Sequence, residues 1–193
     1  MIKPALFNTD MVRAILEGRK TVTRRVVKPQ PPAGVTRMEQ GAAPDRWRSP
    51  GKDVWVEIRA HYQPGDILWV RETWAKSMAG TYMYRADDKA IMVERWHPSI
   101  HMPREAARIF LRVTNVQPER LQDINGLHAK EEGCEGYVHI NPLYGCPETV
   151  HNFKALWDST IKPADRPTYG WDANPWVWVI EFERISMEEA YCG

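Results

Sequence analysis

Short runs of β-branched and aromatic residues, each broken off by Pro or Gly, constrain this chain more than any other feature. Thr21 to Val27, Val54 to Arg59, Ile67 to Trp74, Tyr82 to Ala86, Ile109 to Val116 and Trp176 to Glu183 all read as strands. The turn Pro64-Gly65-Asp66 precedes the third run, whose apolar residues on both faces predict a buried strand. Helical signals are fewer. Asn8-Thr9-Asp10 offers capping side chains to a helix carrying Met11, Val12, Ile15 and Leu16, and Gly18 supplies its stop. Leu121 to Glu132, closed by Gly133, and Val150 to Ile161, with Phe153, Leu156, Trp157 and Ile161 on one face, are two more. The pattern predicts an α+β protein: a small mixed β-barrel of about five to six strands with short helices packed outside it.

A chain of 193 residues with 43% hydrophobic and 26% charged residues is sized and composed for a single domain spanning 1–193. Long loops are expected at about 30–52, 75–105 and 134–150; the first is rich in Pro, Gly and Ala. No run approaches the roughly 18 consecutive apolar residues of a membrane span, and Met1-Ile2-Lys3-Pro4 leads into no signal-like stretch. A cytoplasmic protein without a membrane partner is therefore expected. Cys134, Cys146 and Cys192 are too few and scattered for a disulfide framework and read as free thiols.

Net charge is +1, yet residues 1–30 hold seven Lys or Arg against Asp10 and Glu17, a local +5 that leaves −4 elsewhere. A field of this kind attracts phosphates even on a nearly neutral molecule. The basic residues gather in Gly18-Arg19-Lys20-Thr21-Val22-Thr23-Arg24-Arg25, at the junction of the first helix and the first predicted strand. This segment resembles the ASCH family, seen in bacterial and prophage proteins, whose members carry Gly-Arg-Lys-Thr-hydrophobic-Thr-x-Arg at the end of their first helix. Pro64-Gly65-Asp66-Ile67-Leu68, His128-Ala129-Lys130-Glu131-Glu132 and the closing strand Trp178 to Phe182 add to the resemblance.

The resemblance implies a PUA-like barrel with a cleft beside it, RNA binding, and in some members hydrolysis. One bacterial branch resembles an N4-acetylcytidine amidohydrolase using a Lys, a Thr and a Glu, roles that would fall on Lys20, Thr23 and Glu132. In that reading Lys20 is the base that activates the Thr23 hydroxyl, since a Thr hydroxyl is a poor nucleophile on its own. The lysine pKa would then have to fall from about 10.4 to about 7 or 8. Arg19, Arg24 and Arg25 would push it down and an ionised Glu132 would push it up. Glu131 and Glu132 stand at a predicted helix C-terminus, where the dipole disfavours negative charge, so a partner or a chemical role is expected for one of them. Side chains alternate along a strand, so Lys20 and Thr23 converge only if Lys20 still belongs to the turn. In the plainer alternative Thr21 and Thr23 are ordinary strand residues and the Lys and Arg side chains are solvated.

The expected ligand is RNA or a modified nucleoside, contacted by Arg19, Thr21, Arg24 and Arg25, with no cofactor. The alternative to a hydrolase is a non-catalytic RNA-binding module. Arg71 and Glu72 lie near a strand end, from which site residues can project. Trp74 beside them is the tryptophan expected to be exposed for stacking on a base. Arg104 precedes a short predicted helix at 105–108, where an anion would meet both. Cys134, His139, Cys146 and His151 fit no common zinc spacing, so metal is left out.

Overall fold

The computed structural model describes residues 1–32, 35, 39–40, 46–49, 54–87, 93–134 and 147–192. They are ordered along the chain as β1 (Ile2–Leu6), α1 (Thr9–Leu16), β2 (Val22–Val26), β3 (Glu39–Gln40), β4 (Arg46–Ser49), β5 (Val54–Glu57), β6 (Ile67–Arg71), β7 (Trp74–Lys76), β8 (Tyr82–Tyr84), β9 (Phe110–Arg120), α2 (Gly126–Glu131), α3 (Pro147–Thr160), α4 (Arg166–Tyr169), β10 (Trp176–Ile185) and α5 (Met187–Cys192), with short 3-10 turns between them. The protein is thus mixed α+β. A five-stranded mixed sheet has the order β1-β6-β9-β10-β2, and β3-β4-β5 and β7-β8 form two smaller antiparallel sheets. Among the described residues the strands do not close into a barrel.

The chain forms two compact units, neither continuous in sequence: residues 1–21, 64–114 and 182–193 make the first, and residues 22–63 and 115–181 the second. In the first, β1 runs parallel to β6, from Ile2 opposite Ile67 to Leu6 opposite Arg71, and β6 is antiparallel to β9. Leu68, Val70, Leu111 and Val113 are fully buried there. Trp69, Ala107, Phe110, Ile185 and Ala190 form one apolar cluster, and Trp74, Met102 and Ala106 another. In the second, β2 pairs antiparallel with β10, and Leu121 and Ile124 from the segment before α2, Ala129 of α2 and Phe153 and Trp157 of α3 cluster with Val177 of β10.

The junction that opens the basic motif is set by local chemistry. Asn8 caps α1 by accepting the Met11 N–H at 2.8 Å, and Val12, Ala14 and Ile15 turn inward. Gly18 adopts φ 73°, which lets the Arg19 and Lys20 amides both donate to the Ala14 carbonyl, at 2.8 and 3.0 Å. Nothing lies within 4 Å of where a Cβ on Gly18 would stand, so Gly18→Ala meets backbone strain alone. We expect that substitution to cost about 1–2 kcal/mol. A thermal melt would show it as a fall of a few degrees, and an unchanged Tm would refute this account of the turn.

Several expectations are refined. The stretch expected as a loop at 30–52 contains β3 and β4, and the strand expected from Tyr82 to Ala86 is formed as β8, Tyr82–Tyr84. The run expected as one strand from Ile67 to Trp74 is interrupted after Arg71, and β7 starts afresh at Trp74. Cys134 and Cys192 are free thiols, whereas Cys146 and His139 lie outside the described residues. No helix among the described residues is long and apolar enough to cross a membrane.

Candidate functional site

Strand β2 turns two adjacent arginines to opposite faces of the sheet, because side chains alternate along a strand. Val26 and Arg24 face the α2 and α3 side: Val26 packs on the cluster of Phe153 and Trp157, and the Arg24 guanidinium lies 5.8 Å from the Phe153 ring centroid. Thr23 and Arg25 face the other way, opposite Ile180 and Trp178 of β10.

Arg24 is buried, with a relative exposure of 3%, and is committed to two carboxylates. Its Nε and Nη2 donate to one oxygen of Glu119 at 3.2 and 2.8 Å, and its Nη1 donates to Glu132 at 3.2 Å. Glu132 is the C-cap residue of α2, followed by Gly133 at φ 89°. Arg24 is therefore a partner that offsets the unfavourable helix-end dipole for Glu132, while Glu131 is exposed. Thr23 is buried as well. In the first unit Lys20 is buried and precedes β2, in a bridge position two residues beyond Gly18; its Nζ lies 5.9 Å from the Phe7 ring centroid. Thr21 is exposed, with its carbonyl accepting the Phe182 amide at 2.9 Å. Arg19 pairs with Glu17 on the surface.

Beside β2 the second unit carries a cavity of about 280 Å³. Trp178 and Ile180 contribute from β10, Arg25 and Val26 from β2, Lys28 from the segment after it, and Arg59, Ala60, His61 and Tyr62 from the segment after β5. Trp178 and Tyr62 are largely buried, and the His61 and Tyr62 rings meet edge to face at 4.7 Å. Burial lowers the pKa of Arg25 from its ordinary value, while Tyr62 and Glu132 act to raise it. A guanidinium stays charged at neutral pH even so. Lys28 and Arg59 are exposed, and none of the described residues lining the cavity is acidic.

Both segments flanking this cavity are braced by side chains. Gln30 donates from Nε2 to the carbonyls of Val27 and Trp176, at 2.7 and 3.0 Å, and accepts the Trp176 amide at 2.8 Å. The chain beyond β2 is thereby tied to the start of β10. Across the cavity, the Gln63 side chain donates to the Ala60 carbonyl at 2.9 Å. Lys28 lies 4.7 Å from the Tyr169 ring centroid.

The remaining site residues expected from the sequence fall in the first unit. Trp74, expected to be exposed, is only 9% exposed: its backbone bridges His97 in both directions, its ring stacks on His97 at 4.8 Å, and Met102 and Ala106 cover it. Glu72 is buried and held bidentately by Arg108 at 2.9 and 3.0 Å. Arg108 also reaches Asp87 at 2.7 Å and lies 3.9 Å from the Tyr84 ring centroid. Arg71 donates to the Ile100 carbonyl and lies over Trp69. Arg104 is exposed over the Tyr191 ring, at a 3-10 turn, Arg104–Ala106, one residue earlier than the predicted helix.

Lys28, Arg59, His61, Tyr62 and Trp178 escaped sequence reasoning as site residues. The signal was present in the basic and aromatic run Arg59-Ala60-His61-Tyr62, just beyond a recognisable strand, although nothing in the sequence tied it to Arg25. Compared with models of known protein families, with curated proteins and with solved structures, the chain matches none.

Proposed function

We propose that this protein is an RNA- or nucleoside-binding protein of the ASCH type, with the PUA-like fold that the resemblance implies, and that the cavity beside β2 is where its ligand lodges. One observation carries the reading: a cavity that joins aromatic side chains to three cationic ones with no acidic residue in its described lining. Aromatic rings stack on bases of any sequence, and Arg and Lys serve phosphates, so the combination suits a nucleic-acid segment better than a neutral apolar molecule. The motif residue Arg25 stands in this lining, which links the cavity to the segment on which the resemblance rests.

The test is fluorescence anisotropy of a labelled single-stranded RNA titrated with wild type and with Arg25→Ala. Wild type is expected to bind with a strong salt dependence. The variant is expected to bind at least roughly tenfold more weakly, with the slope of log affinity against log salt reduced by about 0.7. RNA binding that is absent, or unchanged in the variant, would sink the reading.

A second reading adds turnover: hydrolysis of N4-acetylcytidine, or cleavage of RNA, by Lys20, Thr23 and Glu132. It draws support from the burial of each of these polar residues, since Lys and Glu are seldom fully buried without a structural or chemical reason. Chromatography after incubation with N4-acetylcytidine, or with RNA, separates this reading from a module that only binds.

A further inference from the structure

We infer that one face of the first unit is an interface between two copies of this chain, built around Arg71, Arg104 and α5. The inference goes beyond the nucleic-acid reading and does not rest on it. The face is continuous. Leu6 and Arg71 stand opposite each other in the parallel register of β1 and β6 and so project to one side of the sheet. Trp69, two residues before Arg71, and its β9 partner Phe110 share that side. The Tyr191 ring of α5 meets Phe110 edge to face at 5.6 Å, and the Arg104 guanidinium lies 5.3 Å from the Tyr191 centroid.

Leu6, Ile100, Met187 and Tyr191, four of the seven large apolar residues that stay exposed among the described ones, gather here. Arg71 donates to the Ile100 carbonyl, and Met187 lies one helical turn before Tyr191 on the same side of α5. Scattered apolar residues are ordinary on a surface, whereas a group of them beside arginines and aromatic rings is the composition of a protein interface. The arginines are settled in advance: each rests over a ring, Arg71 at 5.3 Å from the Trp69 centroid and Arg104 on Tyr191. Among the described residues neither meets a carboxylate, and the Arg71 Nε is buried with no acceptor. A partner that closes over them supplies what is missing.

The signs of charge identify that partner. Glu188 of α5 is exposed beside this face, and exposed Glu105 follows Arg104. A nucleic-acid strand would meet these carboxylates as well as the arginines, and Leu6, Ile100 and Met187 offer nothing to a phosphate. A second copy fits both features: it brings the Glu188 carboxylate to the arginines and apolar side chains to the apolar side chains. A two-fold interface needs only a face that complements itself, and it makes every contact twice.

Sedimentation equilibrium of the full chain over roughly a hundredfold range of concentration tests this. Wild type should pass from monomer to dimer as its concentration rises. Ile100→Asp and Met187→Asp, both at exposed positions that spare the core, should each weaken the dimer at least roughly tenfold, because each buries an unpaired charge in the interface twice. Glu188→Arg, which turns a face of mixed sign into a cationic one, should weaken it as well. Leu127→Asp removes an equally exposed apolar residue in the second unit and should leave the dimer as it is. A chain that stays monomeric throughout would overturn the inference. A dimer that Ile100→Asp and Met187→Asp leave unchanged, or that Leu127→Asp weakens as much, would overturn it too, by placing the contact elsewhere. Fluorescence anisotropy of a labelled single-stranded RNA completes the test. If the chain is monomeric and Ile100→Asp weakens RNA binding, the face belongs to nucleic acid and the second copy is ruled out.

Discussion

Arg24→Ala should destabilise the protein by about 3–5 kcal/mol, the usual result of removing one partner from a buried ion pair. The guanidinium is nearly inaccessible and serves two carboxylates at once, Glu119 at 2.8 Å and Glu132 at 3.2 Å. Deleting it withdraws three hydrogen bonds and takes the guanidinium away from two carboxylates. The loss of packing on Phe153 adds to the effect. Adding Glu132→Gln to Arg24→Ala should recover part of the loss, because it removes one of the two charges that Arg24 had offset. Urea denaturation followed by circular dichroism reads both variants. An Arg24→Ala protein within 1 kcal/mol of wild type would show that the cluster is far more hydrated than its burial implies.

The second large effect is expected in the first unit and depends on pH. Burial raises the pKa of Glu72 above its ordinary 4.5, and the Arg108 hydrogen bonds pull it back only in part. A carboxyl group raised in the folded state binds its proton more tightly there than in the unfolded chain. Its contribution to stability is therefore fully present below about pH 4.5 and is lost as pH rises through the folded value. Arg108→Ala removes the cation that makes the ionised form tolerable, so Glu72 is pushed up further. We expect that substitution to cost about 3 kcal/mol at neutral pH, where an ionised buried Glu72 loses its bidentate partner. The cost should shrink as pH falls toward 4.5, because burial favours the protonated form of Glu72. Unfolding free energies measured between pH 4.5 and 7 decide the matter. A deficit that does not change with pH would mean that Arg108 acts through its packing on Tyr84 instead of through Glu72.

How far the sequence could be read is clearest at individual residues. The helix α1 and the start of β2 were legible because their determinants are local: a capping Asn8, apolar spacing, and a glycine that must adopt positive φ. The strand β10 was legible from its unbroken Trp, Val, Ile and Phe content. The strand β1 was not, because Lys3-Pro4 interrupts its pattern and its stability comes from a parallel partner more than sixty residues away. The strands β3 and β4 were hidden by the Pro and Gly around them.

The site divides in the same way. The basic motif marked the right strand, but alternation gives Arg24 and Arg25 different work, and residue type alone cannot say which arginine hydrogen-bonds Glu119. Glu72 and Trp74 sit beside Arg71 as a site-like trio in the sequence, yet a cation from one side and a histidine ring from the other draw two of them into the interior. The cavity depends on Arg59, His61 and Tyr62 meeting Trp178, more than a hundred residues apart, and no local signal encodes that meeting.

The arginine doublet in β2 also bears on how this strand tolerates error. A one-residue slip moves every side chain to the opposite face, and in most strands that is punished everywhere at once. Here a slip in either direction would still seat one arginine in a position meant for the other, with Thr23 or Val26 taking the vacated place. The doublet itself is thus a weak judge of alignment against β10, and the penalty falls on the Thr23 or Val26 place, where the displaced arginine would land. The correct frame is also held from outside the strand, by the Gln30 splint that ties the chain beyond β2 to the start of β10. The spacing between β2 and that splint joins residue identity among the things this strand has to keep.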